Sequence, residues 1–176
     1  EGQISVDTSN KVMPVSLRVV EYSINGQRIE AKDFDPGKPV WIVIHGRGDS
    51  DEYDAIAELA YKFYKTGVQV ITVNWHDAAD DNTPELFGIK LGLQGSQWIE
   101  AVGKWVANQL LSMNVKNNNL NLIGHSWGTY VAYVIAENYE SVNTIIALDP
   151  AQDGILTELL GNKYDTSNID FGAVSD

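Results

Sequence analysis

The apolar run at residues 120–123 passes with no spacer into Gly124-His125-Ser126-Trp127-Gly128, and Val131, Val134 and Ile135 then follow at helical spacing. A strand that feeds straight into a helix leaves the chain few options. The next strand of the same sheet must return parallel to the first, through a right-handed crossover. Residues 144–148 supply that strand, and their apolar character reads as buried.

The same alternation holds upstream. Val40-Trp41-Ile42-Val43-Ile44, after the turn Asp35-Pro36-Gly37, is a continuous apolar run of the kind covered on both faces of a parallel sheet, which makes it a central strand. Tyr53, Ile56, Ala57, Ala60, Phe63 and Tyr64 recur at helical spacing, and Gly67 stands where a helix ends. Residues 68–73 form the next strand. Ile99, Val102, Val106 and Leu110 share one face of a second helix, with Trp98 and Trp105 beside them and the loop Asn117-Asn118-Asn119 at its end. Residues 15–34 read as two extended runs joined at Asn25-Gly26, a dipeptide suited to a tight hairpin turn. The expected fold class is therefore α/β: a mostly parallel sheet with helices on both faces and an antiparallel hairpin at its N-terminal side.

Composition narrows the function. With 176 residues and 44% hydrophobic content the chain has the material for a single domain over 1–176. No run approaches the length of apolar chain needed to span a membrane. The net charge of -12 opposes partners such as nucleic acid or an anionic membrane surface. Without cysteine there are no disulfides and no thiolate metal site. The first residues, Glu1-Gly2-Gln3, read as a mature or excised boundary.

Three segments carry chemistry. A serine exposed on a sharp strand-to-helix turn has a strained backbone, and residues two positions to either side must lack side chains, as Gly124 and Gly128 do. By chance such a triplet turns up in about one chain in twenty of this length, so its place between strand and helix is what gives it meaning. The helix start behind Ser126 favours negative charge on a substrate oxygen. The competing reading is an ordinary turn with two glycines.

Ile44-His45-Gly46-Arg47-Gly48 leaves a central strand early in the chain, where hydrolases of this type take one oxyanion-hole N–H, the other coming from the residue after the nucleophile. These donors would be the backbone N–H groups of Arg47 and Trp127, with His45 supporting the loop rather than acting as base. The competing reading is a glycine turn with no role. In Ala147-Leu148-Asp149-Pro150-Ala151, Asp149 ends the strand after the nucleophile helix, where a carboxylate can orient a histidine. Asp before Pro is also a common turn starter.

Val43-Ile44-His45-Gly46, Thr72-Val73-Asn74-Trp75, Ile123-Gly124-His125-Ser126-Trp127-Gly128 and Leu148-Asp149-Pro150-Ala151, in that order, resemble the pancreatic-type triacylglycerol lipase family over about residues 39–153. The resemblance implies an α/β-hydrolase fold and a carboxylic-ester hydrolase, a lipase or phospholipase, whose triad acid stands on the strand after the nucleophile helix. That assigns Ser126 as nucleophile and Asp149 as acid. Where the family usually has an apolar or aromatic residue, an aspartate and often a leucine, this chain has Arg47, Asn74 and Trp127. A polar Arg47 at the lip of the site points to a charged or shorter substrate.

The order Ser, Asp, His requires a histidine beyond Asp149, and the chain has only His45, His76 and His125. The expectation is a fragment, incomplete at the C-terminus, of a longer protein that supplies the histidine and further domains. The rival is a catalytically inactive lipase-like domain kept for lipid binding or interaction. His76 is a remote substitute base, read first as an exposed loop residue. A thioesterase or acyltransferase would share the same residues.

The segment from Lys163 to Asn168 is similar to the family's calcium loop, but Asp165 with Asn168 and Asp170 is a poor set of oxygen ligands, and a solvated acidic loop is the preferred reading. No other cofactor is implied. The resemblance implies a secreted protein acting on a lipid or other ester.

Overall fold

The computed structural model describes residues 1–5, 11–31, 33–81, 97–139 and 141–151. Seven strands, β1 (Gly2–Ser5), β2 (Val12–Tyr22), β3 (Arg28–Glu30), β4 (Val40–Ile44), β5 (Gln69–Asn74), β6 (Leu120–His125) and β7 (Thr144–Leu148), form one sheet. The order is β1-β2-β5-β4-β6-β7, with β3 on β2. Strands β5, β4, β6 and β7 run parallel, whereas β2 is antiparallel to β1, β3 and β5. The expected mostly parallel sheet with an antiparallel N-terminal ribbon is thus the observed architecture.

The connections are α1 (Asp54–Tyr64), α2 (His76–Ala79), α3 (Ile99–Ser112), a 3-10 turn (Asn117–Asn119) and α4 (Gly128–Glu137). Alternate residues of β4 serve two apolar layers. Val40, Ile42 and Ile44 pack with Val102, Val106 and Leu110 of α3 and Val131 and Ile135 of α4. Val43 packs with Ile56 and Ala60 of α1 on the other face. Two covered faces explain the unbroken apolar run. The α3–α4 contact is close because position 103 is glycine: a Cβ there would lie 2.5 Å from Val134 Cβ.

Several details depart from the sequence reading. Strands β1 and helix α2, four residues each, are too short to show a period, and both were missed. Tyr53 precedes α1 with extended backbone and is exposed, so it belongs to the N-cap and not to the apolar face. Strand β7 is nowhere fully buried, although its apolar residues suggested it, because among the described strands it pairs with β6 alone. The calcium-like segment, with Lys163, Asp165, Asn168 and Asp170, lies outside the described residues. Among the described residues no helix is long and apolar enough to cross a membrane.

Candidate active site

Parallel strands bring their C-terminal ends to one edge, where open α/β sheets place their ligands. At that edge His125 ends β6 opposite Leu148 at the end of β7. Each strand then leaves the sheet through a left-handed residue, Ser126 at φ 51° and Asp149 at φ 42°. A non-glycine residue in that region costs of order 1–3 kcal/mol, and such strain collects at functional sites. The Ser126 N–H donates to Leu148 O at 2.9 Å, which fixes one turn against the other.

The glycines explain how the bend fits. A Cβ on Gly124 would lie 2.3 Å from the carbonyl oxygen of Gly128, and one on Gly128 would lie 2.4 Å from that of Ile44. A Cβ on Gly46 would lie 2.7 Å from Ser126 Cβ and 3.2 Å from Ser126 Oγ. The early loop and the serine turn are therefore packed backbone to side chain, with Arg47 next along that loop. Arg47 is exposed, and its guanidinium carbon lies 5.4 Å from the centre of the Trp127 ring. Trp127 caps α4, where the first N–H groups have no partner within the helix. Ser126 is half-buried and Asp149 exposed. The Tyr130 hydroxyl donates to the Ala151 carbonyl and so holds the chain just past Asp149.

Each of the three histidines has a ring nitrogen engaged with a group other than Ser126. His45 is fully buried, its Nε2 accepting from the Trp75 N–H at 3.1 Å and its Nδ1 lying 2.8 Å from Gly46 O, while Trp75 Nε1 donates to His45 O at 2.8 Å. An Nε2 that accepts leaves the proton on Nδ1, so the ring is neutral. Burial pushes its pKa below the ordinary 6.5, against the opposing pull of the Gly46 carbonyl. His76 Nδ1 sits 2.7 Å from Asp49 O, and His125 Nδ1 sits 3.2 Å from Asp49 Oδ2.

A base with a lowered native pKa binds fewer protons folded than unfolded as pH falls through 6.5. Its contribution to stability is complete above that value and declines toward the lower native pKa. Melting curves between pH 7.5 and 5 are expected to show this decline, and His45→Gln should flatten it. An unchanged slope in the variant would mean that His45 is not held neutral.

The loop of residues 46–51 is pinned from three sides. Gly48 N–H donates to Asp80 Oδ1 at 2.7 Å, and Asp49 meets His125 and His76 as described. Asp51 is fully buried: Arg28 Nη2 and Thr72 Oγ1 donate to its Oδ2 at 2.7 and 2.9 Å, and Arg28 Nη1 donates to its carbonyl at 2.7 Å. Its Oδ1 has no hydrogen-bond partner. The sequence reading missed this clamp, whose partners are 23 and 21 residues away on β3 and β5, where no periodicity links them.

A serine on a left-handed strand-to-helix bend, at the carboxyl edge of a mostly parallel sheet, defines an α/β-hydrolase. Acetyl xylan esterase 1 from Thermoanaerobacterium sp. JW/SL YS485 has a similar fold, with a TM-score of 0.52 at 13% identity over 89% of this chain and 64% of that one. The lipase family profile matches residues 16–172, and the chain belongs to that family, of the pancreatic lipase type. It is 23% identical over 147 residues to a phospholipase A1 of Solenopsis invicta, covering 78% of this chain and 42% of that protein. It is 27% identical over 149 residues to the inactive pancreatic lipase-related protein 1 of Canis lupus familiaris (81% and 30%). It is 29% identical over 130 residues to pancreatic lipase-related protein 2 of Cavia porcellus (70% and 28%). The chain thus spans less than half the length of these relatives.

Proposed function

We propose that this site belongs to a serine carboxylic-ester hydrolase acting on lipid esters, a lipase or phospholipase. The observation that carries the reading is the Ser126 backbone, strained at φ 51° between two glycines that admit no Cβ. Ser126 attacks the ester carbonyl and forms an acyl-enzyme, and Asp149 orients the histidine that takes the proton. The N–H groups of Arg47 and Trp127 hold the oxyanion.

In this reading the base is a histidine beyond Asp149, as the order Ser, Asp, His requires, and the histidines present have ring nitrogens engaged with other groups: both of His45, and Nδ1 of His76 and His125. That same engagement favours a second reading, a domain that binds lipid without hydrolysing it. A chain continued past Asp176 to include a histidine decides between them. It is expected to hydrolyse p-nitrophenyl esters and to take a fluorophosphonate on Ser126, and Ser126→Ala should lower turnover by about three orders of magnitude or more. Equal inertness of the longer chain and its alanine variant would end the hydrolase reading.

A further inference from the structure

We propose that a polar cleft at the carboxyl end of β5 binds one pyranose ring of a glycoside, so that the domain carries a sugar site apart from its serine. Sugar binding there needs no ester chemistry. The cleft, about 580 Å³ in volume, opens where the start of β2 meets the end of β5: Ser16 pairs with Asn74 there, and β1, α2 and the loop at Ser50 close its sides. Strand β4 stands between β5 and β6 in the sheet, so the strand that ends at Ser126 is two places away.

Hydrogen-bonding side chains dominate the lining: Gln3, Ser16, Ser50, Asn74, His76 and Asp77. Ser16 is only 9% exposed, and its hydroxyl has no partner among the described residues. A hydroxyl so nearly buried costs stability when left without a bond, so it marks a place that a ligand atom or a water completes. Around it, bonds already made fix the roles. Asn74 Oδ1 accepts the His76 backbone N–H at 3.1 Å, which leaves the amide NH2 as a donor. His76 Nδ1 donates to Asp49 O at 2.7 Å, which leaves Nε2 of the neutral ring as an acceptor. The exposed Asp77 carboxylate accepts as well. Each sugar hydroxyl both donates and accepts, so neighbouring hydroxyls of one ring can satisfy a donor and an acceptor that stand two residues apart. Pro14, exposed in the lining, offers an apolar surface for the C–H face of the ring.

Other ligand classes match these groups less well. Apolar side chains in the lining come from Pro14 and Val15, and Val15 is 2% exposed, so an acyl chain would be buried against polar groups. An anion would meet the carboxylates of Glu1 and Asp77, while the guanidinium of Arg18 is paired with Glu52 at 2.6 Å. Among the described residues no Phe, Tyr or Trp lines the cleft to hold a quaternary ammonium, and no group of three metal-ligating side chains gathers. An uncharged polyhydroxylated ring uses donors and acceptors together and leaves no charge unpaired.

The test is a proton–nitrogen NMR titration of the 176-residue chain with methyl β-D-glucopyranoside, methyl β-D-galactopyranoside and methyl α-D-mannopyranoside. At least one is expected to saturate with a dissociation constant of about 1–10 mM, the range open to a ligand of roughly a dozen non-hydrogen atoms. The amides of Gln3, Ser16, Ser50 and Asn74 should move with it. Ser16→Ala and Asp77→Ala should each weaken that binding by about three- to tenfold, and the spectra of both variants report whether the fold is kept. The ring can belong to a glycan or to a glycolipid: tighter binding of a disaccharide of the preferred sugar identifies the first, and tighter binding of its hexyl glycoside the second. Failure of all three glycosides to saturate, or binding that keeps wild-type affinity in both variants, overturns the proposal.

Discussion

Gly128→Ala is expected to lower the melting temperature by about 6–12 °C and to abolish any reactivity of Ser126. The new methyl would lie 2.4 Å from Ile44 O and 2.7 Å from His45 O, and backbone atoms of a central strand cannot swing aside as a flexible side chain would. Overpacking costs about 1–3 kcal/mol where neighbours can adjust, and this contact belongs at or above the upper end. At about 2–4 °C per kcal/mol for a chain of this size, the stated range follows. Gly48→Ala is the matched control. Gly48, unlike Gly128, has positive φ, 76°, and no atom lies within 4 Å of its would-be Cβ, so its substitution should cost only the conformational strain, about 1–2 kcal/mol. Thermal melts of the two variants side by side decide the matter. Similar losses would mean that the serine turn tolerates side-chain volume, against the packing described.

Asp51→Ala should destabilise the fold by about 3 kcal/mol or more, because it leaves the Arg28 guanidinium largely buried without its carboxylate partner. Asp51→Asn keeps the shape and some hydrogen bonding, and its loss should be smaller. Replacing the pair together, Arg28→Met with Asp51→Leu, should recover much of the deficit, since an apolar pair of similar size leaves no charge buried.

The clamp also predicts a direction with pH. Burial alone would raise the Asp51 pKa, but the hydrogen bond and charge of Arg28, the Thr72 hydroxyl and the charge of Arg18 outweigh it and hold the carboxyl below its ordinary 3.8. An acid with a lowered native pKa stabilises the fold fully above its unfolded value and loses that contribution as pH falls through the native one. Denaturant titrations from pH 6 downward should therefore show the wild type losing its advantage over Asp51→Asn only below about pH 4. An advantage that vanishes already at pH 6 would rule out the ionised clamp.

Much of this molecule could be read without coordinates, for reasons tied to particular residues. The run from Val40 to Ile44 had to be covered on both sides because it contains no polar residue to face water, and every member but Trp41 is fully buried. Ile99, Val102, Val106 and Leu110 were legible as one helix face from spacing alone, and all four are buried. The turn at Ser126 was legible because the small residues it needs are fixed in sequence at two positions on either side. Residues 144–148 misled for the complementary reason: apolar character reports a preference for burial, and how many neighbours a strand obtains is decided by the sheet.

The local geometry of chain and side chain determined the order of strands and helices, the hairpin at Gly26 and the glycine-flanked serine, since each depends on residues within a few positions of one another. Only the tertiary structure decided that Leu148 receives the Ser126 N–H, that Arg28 and Thr72 close on Asp51, and that Arg47 lies over Trp127. Those contacts join residues about 20 to 80 positions apart, and no pattern of spacing records them. They arise because parallel strands deliver their carboxyl ends to one edge, where loops from distant parts of the chain must share the same few ångströms.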